Sequence, residues 1–115
     1  MPIALRDDAL TATFHALSDP TRRRVVARLA AGPATLGHLS ADHAMSLAAF
    51  SKHVGVLVDA GLVARRKTGR TMVCSLRPGA LGHAQSWLGD LTAFWSANLD
   101  RLDVLLTSTT PAERA

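Results

Sequence analysis

From Pro78 to about Leu106 a single apolar pattern runs without a break. Leu81, Ala84, Leu88, Leu91, Trp95, Leu99, Leu102 and Leu106 follow one another at steps of 3, 4, 3, 4, 4, 3 and 4 residues. That period is helical and close to an a/d seam with one slip. In a chain of 115 residues a seam this long leaves too little other protein to cover it. It predicts a helix over 78–106 whose apolar edge meets a second copy of the chain, with a core helix packed across its own domain as the alternative.

The rest of the chain is long enough for one compact domain and too short for a multidomain enzyme. Hydrophobic residues are 48% and charged residues 19% of the total, a globular and not a disordered balance. No apolar run approaches the roughly 18 residues of a membrane span. The start, Met1-Pro-Ile-Ala-Leu-Arg-Asp-Asp, lacks the basic head and apolar stretch of a secretory signal. The expectation is a cytoplasmic protein with no membrane partner. Cys74 is the only cysteine, which excludes an internal disulfide framework.

The net charge of +4 conceals a division. Residues 20–77 carry +8, whereas residues 1–19 and 78–115 carry −2 each. A basic middle between mildly acidic ends is the kind of footprint a polyanion selects, because each neutralised phosphate releases counterions.

Local patterns divide the chain further. Leu10, Phe14 and Leu17 fall at i, i+4, i+7 on a first helix, which Asp7 and Asp8 open with charge suited to its dipole. Ser18 or Asp19 caps a second, with Pro20 in its first turn. This helix runs to about Ala31, with Val25, Val26 and Leu29 inward, and Gly32-Pro33 stops it. Thr35 caps a short third helix with Leu36 and Leu39 inside, and Asp42 to Met45 make a turn. Ser46 caps a fourth helix that Gly61 ends. Leu47, Phe50, Val54, Leu57 and Val58 share its buried arc, and Ala48, Ala49, Lys52, Gly55 and Asp59 lie opposite. Two β-prone runs, 62–68 and 71–76, then flank Gly69-Arg70 and read as a hairpin with Arg65, Arg66, Lys67 and Arg70 near its tip. Met72, Cys74 and Leu76 alternate onto its inner face. The tail 107–115 is polar and is expected to fray.

Three segments in this order carry a resemblance. They are Ala16-Leu17-Ser18-Asp19-Pro20-Thr21-Arg22; then Met45-Ser46-x4-Ser51-Lys52-His53-Val54-x2-Leu57-x2-Ala60-Gly61-Leu62-Val63; then Gly69-Arg70 with Ser75-Leu76. Over residues 8–106 the chain resembles the ArsR-type winged helix-turn-helix regulators. The resemblance implies a mainly α fold with a β-hairpin wing in the order α-α-α-α-β-β-α. It implies one domain over 1–106, with a DNA-binding core at about 20–77 and a dimerisation helix at 78–106.

It also implies a homodimeric, sequence-specific DNA-binding regulator, usually a repressor, with an inverted-repeat operator as partner and an unidentified small-molecule or protein effector. Helix 46–60 would lie in the major groove and wing 65–71 on the flanking backbone or minor groove. On the helix the candidate DNA contacts are Ser46, Leu47, Ala48, Ala49, Ser51, Lys52 and His53. On the wing they are Arg65, Arg66, Lys67, Arg70 and Thr71, with Arg22 added from the second helix. The residue types suit the work: hydroxyls and cations for phosphates, Lys52 for guanine, alanines for thymine methyls, and Arg70 for a narrow minor groove. His53 could bond a phosphate or simply pack. Candidate dimer contacts are Leu10, Phe14, Leu81, Leu88, Leu91, Trp95, Leu99 and Leu102.

Other chemistries find little support. Metal-sensing relatives carry Cys-x-Cys in the third helix, where Thr35 and Gly37 stand here. His38 and His43 lack a third ligand, and His83, Asp90, Asp100 and Asp103 are poorly spaced for zinc. No metal or other cofactor is expected. Cys74 reads as a buried, inert thiol. Trp87, Phe94 and Trp95 read as packing residues before effector-pocket residues. No nucleophile–base order, phosphate loop or carboxylate pair suggests an enzyme. The competing reading is a winged-helix module that binds protein or RNA without operator-specific DNA binding.

Overall fold

Gly61 and Gly69 shape the centre of the fold. In the computed structural model, which describes residues 8–107, both adopt positive φ, +79° and +62°. Gly61 closes helix α4 (Leu47–Asp59). Its N–H bonds the Val58 carbonyl, and the Leu62 N–H reaches back to the Leu57 carbonyl, each at 3.0 Å. This is the Schellman closure, which needs a left-handed residue. The chain then passes directly into β2 (Val63–Thr68), turns at Gly69-Arg70 and returns as β3 (Thr71–Leu76). Thr68 faces Thr71 and Val63 faces Leu76, so the turn has two residues and glycine comes first, as tight hairpins prefer.

Upstream lie α1 (Asp8–Ala16), α2 (Pro20–Leu29), a two-residue strand β1 (Ala34–Thr35) and α3 (Leu36–Ser40). Thr35 caps α3 by accepting from the His38 N–H at 3.1 Å. Strand β1 corrects the expected α-α-α-α-β-β-α order. Ala34 pairs with Cys74 and Thr35 with Val73, giving a three-stranded antiparallel sheet in the order β1-β3-β2. Two residues carry no alternation to read; the pairing exists because β3 offers its free edge.

The contacts divide the chain into two compact units, one ending at Ala84 and the other beginning at Gln85. The core of the first joins Val25, Val26 and Leu29 of α2 to Phe50, Val54 and Leu57 of α4. Leu39, Leu62, Val63 and Cys74 complete it. Each fully buried large side chain contributes roughly 1.5–3 kcal/mol of transfer free energy. In α1 the inward stripe is Leu10, Thr13 and Ala16. Phe14, expected on the same stripe as Leu10, is 37% exposed.

Two further expectations shift. Leu47, placed in the buried arc of α4, is 56% exposed. As the first helical residue its side chain leans toward the N-terminus and past the end of the core. The last helix, α5, spans Gly82–Thr107 and does not begin at Pro78. Gly79 has φ +71°, which no α-helix accommodates, and Arg77 to Gly82 form a turn instead. The expected fraying beyond Thr107 concerns residues outside those described.

Within α5, Leu88, Leu91, Trp95, Leu99 and Leu102 are 37–61% exposed, as are Phe94 and Val104 to Leu106 at 57–65%. Among the described residues no helix is long and apolar enough to cross a membrane.

Candidate nucleic-acid interface

Ser46 starts α4 as its N-cap, its Oγ accepting from the Ala49 N–H at 3.1 Å. The oxygen is therefore committed to the helix, and what Ser46 can offer an outside acceptor is its hydroxyl proton. Behind it Phe50, Val54 and Leu57 anchor the helix in the core. The remaining surface presents Leu47, Ala48 and Lys52 exposed, with Ala49, Ser51 and Gly55 half-buried. Small side chains around the exposed Lys52 let a helix approach another surface closely. His43, from the preceding turn, packs its ring on Phe50 with centroids 5.0 Å apart.

The wing carries the charge. From Leu62 to Arg77 there are five cations and no carboxylate. Arg65, Arg66, Lys67, Arg70 and Thr71 are all exposed. None of the four cations makes a hydrogen bond or ion pair within the described residues, so their donors are free for an anion. Register puts Arg65 and Lys67 on the face of Cys74 and Met72, and Arg66 on the face of Val73. Both faces of the hairpin are therefore basic. As β2 is an edge strand, those charges also guard it against strand addition. Cys74 is fully buried. Burial pushes its thiol up from the ordinary range, against a smaller opposing pull from Arg65 across the ladder, so the reactive thiolate is disfavoured.

Arg22 and His53 differ from the other candidates. Arg22 spends Nε on the Ala16 carbonyl at 2.6 Å, Nη2 on the His15 carbonyl at 3.1 Å and Nη1 on His53 Nδ1 at 3.1 Å. As a free phosphate donor, which the sequence suggested, Arg22 is corrected: its guanidinium ties α1 and α2 to α4. That role was invisible in sequence because the partners lie 6 to 31 residues away.

Asp19, not Ser18, caps α2, its Oδ2 accepting from the Arg22 N–H at 3.0 Å. That hydrogen bond, aided by His53 and Arg22 and opposed by desolvation, holds the Asp19 carboxyl below its usual value. A lowered folded-state pKa gives stability that is complete above the ordinary carboxylate range and is lost as pH falls through the lowered value. Asp19→Asn keeps a capping oxygen but not the charge. Its melting temperature should lie below that of the natural chain at pH 7, and the gap should close on acidification below about pH 4. A gap independent of pH would show that the charge does not matter.

Of the candidate dimer contacts, Leu10 is buried within the chain and Leu81 packs against the core. Phe14 and the α5 residues Leu88, Leu91, Trp95, Leu99 and Leu102 remain exposed.

Residues 17–66 match a helix-turn-helix domain family. The chain is 39% identical over 95 residues to the HTH-type transcriptional regulator Rv2034 of Mycobacterium tuberculosis, covering 83% of this chain and 86% of that protein. It is 29% identical over 75 residues to the transcriptional repressor SdpR of Bacillus subtilis, covering 65% of this chain and 83% of that one. The crystal structure of the ArsR family transcriptional regulator RHA00566 superposes with a TM-score of 0.76 at 35% identity, over 81% of this chain and 96% of the other. The chain belongs to the ArsR family. It is a winged helix-turn-helix protein and a DNA-binding transcriptional regulator. In ArsR terms α3 and α4 are the helix-turn-helix, and β2–β3 is the wing.

Proposed function

We propose that this ArsR-family chain binds an inverted-repeat DNA operator as a homodimer and represses transcription from it. The observation that carries the reading is the capped α4, with a small-residue face around Lys52, leading directly into a wing whose four exposed cations have no ion-pair partner among the described residues. A helix fits the major groove and its N-terminal residues reach base edges. Leu47 and Ala48 offer apolar contact to thymine methyls, Lys52 meets guanine or phosphate, and Ser46, Ser51 and Thr71 offer hydroxyls. Arg65, Arg66, Lys67 and Arg70 meet the flanking backbone, with Arg70 at the tip toward the minor groove. The DNA-binding core is residues 20–77, and the exposed apolar edge of α5 with Phe14 joins two copies. Repression is favoured by the likeness to SdpR, a transcriptional repressor. The protein works in the cytoplasm, where the chromosome lies.

A selected duplex titrated by fluorescence anisotropy tests this. Binding should weaken steeply as salt rises. Lys52→Ala and Arg70→Ala should each cost about 1–3 kcal/mol of affinity while leaving the melting temperature within a few degrees of the natural chain. Unchanged affinity in both variants would remove α4 and the wing from the interface, and binding to RNA or protein in place of DNA would favour the module reading.

A further inference from the structure

We propose that Arg22 serves DNA binding as a positioning residue, setting His53 as a neutral donor whose Nε2–H bonds a backbone phosphate at the edge of the groove. This rests on the reading of α4 as the DNA-contacting helix.

A guanidinium has donors only. Arg22 Nη1 lies 3.1 Å from His53 Nδ1, so Nδ1 must be the acceptor and carry no proton. The one proton of the neutral imidazole then sits on Nε2. Asp19 Oδ2 is farther from Nδ1, at 3.8 Å, and is already the acceptor for the Arg22 N–H. Nδ1 thus faces a donor at the nearer distance and an acceptor at the farther one.

Arg22 is itself held, since Nε and Nη2 are fixed on the Ala16 and His15 carbonyls at the end of α1. Three donors on three partners leave the guanidinium little freedom. The His53 ring is held by one nitrogen, and its side chain is 25% exposed. Nε2 has no partner among the described residues and is not among their buried unpartnered polar atoms. It therefore reaches solvent.

His53 stands seven residues after Ser46 and four after Ala49, on one stripe of α4 with two candidate contacts. A donor there has a task if a phosphate lies alongside. A hydrogen bond to a charged acceptor is among the stronger ones.

The role makes a prediction that direct contact does not. A neutral donor releases no counterion, so its loss lowers affinity without altering the salt dependence. Removing an arginine that itself touches phosphate lowers the slope of log K against log salt by about one.

The test uses the full chain and a duplex that the natural protein selects from a random-sequence pool. Long-range proton–nitrogen NMR of the DNA-free protein at about pH 8, where an ordinary imidazole is neutral, should show His53 as the single Nε2–H tautomer. In Arg22→Met it should show both tautomers. His53→Asn, whose Oδ1 keeps an acceptor for Arg22 but whose shorter side chain places no donor at the Nε2 position, should bind at least about tenfold more weakly with its melting temperature and salt slope unchanged. His53→Gln, whose amide nitrogen reaches the Nε2 position, should recover part of that loss. Arg22→Met should match His53→Asn in affinity and slope, and the double variant should be no weaker than either.

Three results each overturn the proposal: a mixed or Nδ1–H tautomer in the natural chain, undiminished binding by His53→Asn, or a slope lowered by about one in Arg22→Met. If Arg22→Met fails to fold, the tautomer of the natural chain and the two His53 variants still decide. A natural chain that binds no duplex overturns the reading of α4 and this role with it. The NMR result separates that failure from a failure of the Arg22–His53 pairing.

Discussion

Exchanging Leu91 and Leu99 together for glutamate is expected to leave a folded chain that no longer dimerises and no longer holds an operator. Both residues are exposed in the single chain, 37% and 44%, so no core packing is lost. In the proposed dimer both lie on the seam, where a carboxylate would be buried without a partner in each copy. A C2 interface repeats each substitution twice, so four charges oppose association. Separate protomers must bind half-sites one at a time and forgo the roughly 10²–10⁴-fold gain from linked binding. Sedimentation velocity at micromolar protein should show a monomer in place of a dimer, and operator affinity should fall by at least about 100-fold. A variant that still sediments as a dimer would place the interface elsewhere.

Phe50→Ala is the second large effect, and it acts on the fold. Phe50 is fully buried and lies beneath the turn of α4 that carries Lys52, its ring packed by His43. Truncating a buried phenylalanine typically costs about 3–5 kcal/mol, the lost transfer energy plus the cavity left behind. Against a typical total of about 5–15 kcal/mol, that leaves a chain with little reserve. Urea unfolding should show a much lower midpoint at nearly constant slope, and DNA binding should fail in proportion to the unfolded fraction. A loss under about 1 kcal/mol would mean that the site collapses to fill the void.

Much of this architecture was legible because it rests on local chemistry. Ser46, Thr35 and Pro20 mark helix starts through groups that act within one turn. Gly61 and Gly69 mark places where only a residue without Cβ sits comfortably. The apolar seam of α5 is visible as a period. Features formed between distant segments were not legible. Strand β1 exists only because β3 lies beside Ala34. Leu47 follows the apolar period but projects past the core that would have covered it. Leu10 and Leu81 fit the pattern of an interface yet are taken up within the chain. Arg22 looked like any other member of a three-arginine run; its bond to His53 spans 31 positions and leaves no trace in spacing. The candidate DNA surface divides the same way: charge and exposure on the wing could be read directly, whereas the bracing behind α4 could not.

The closure at Gly61 has a bearing on how such a protein could be regulated. Helix α4 ends and β2 begins with only Ala60, Gly61 and Leu62 between them, Leu62 and Val63 are buried, and both hydrogen bonds of the closure are made. In the proposed complex no slack separates the helix that would enter a groove from the wing that would grip the strand beside it. Each protomer is thus a gauge of set length, matched to one stretch of duplex or to none. A signal that releases DNA gains little by pulling the wing away from its helix, since that would mean unpicking the core. In the proposed dimer the adjustable quantity would be the spacing between two gauges, measured along the helical repeat of DNA, where a shift of a few ångströms would put one of them out of phase.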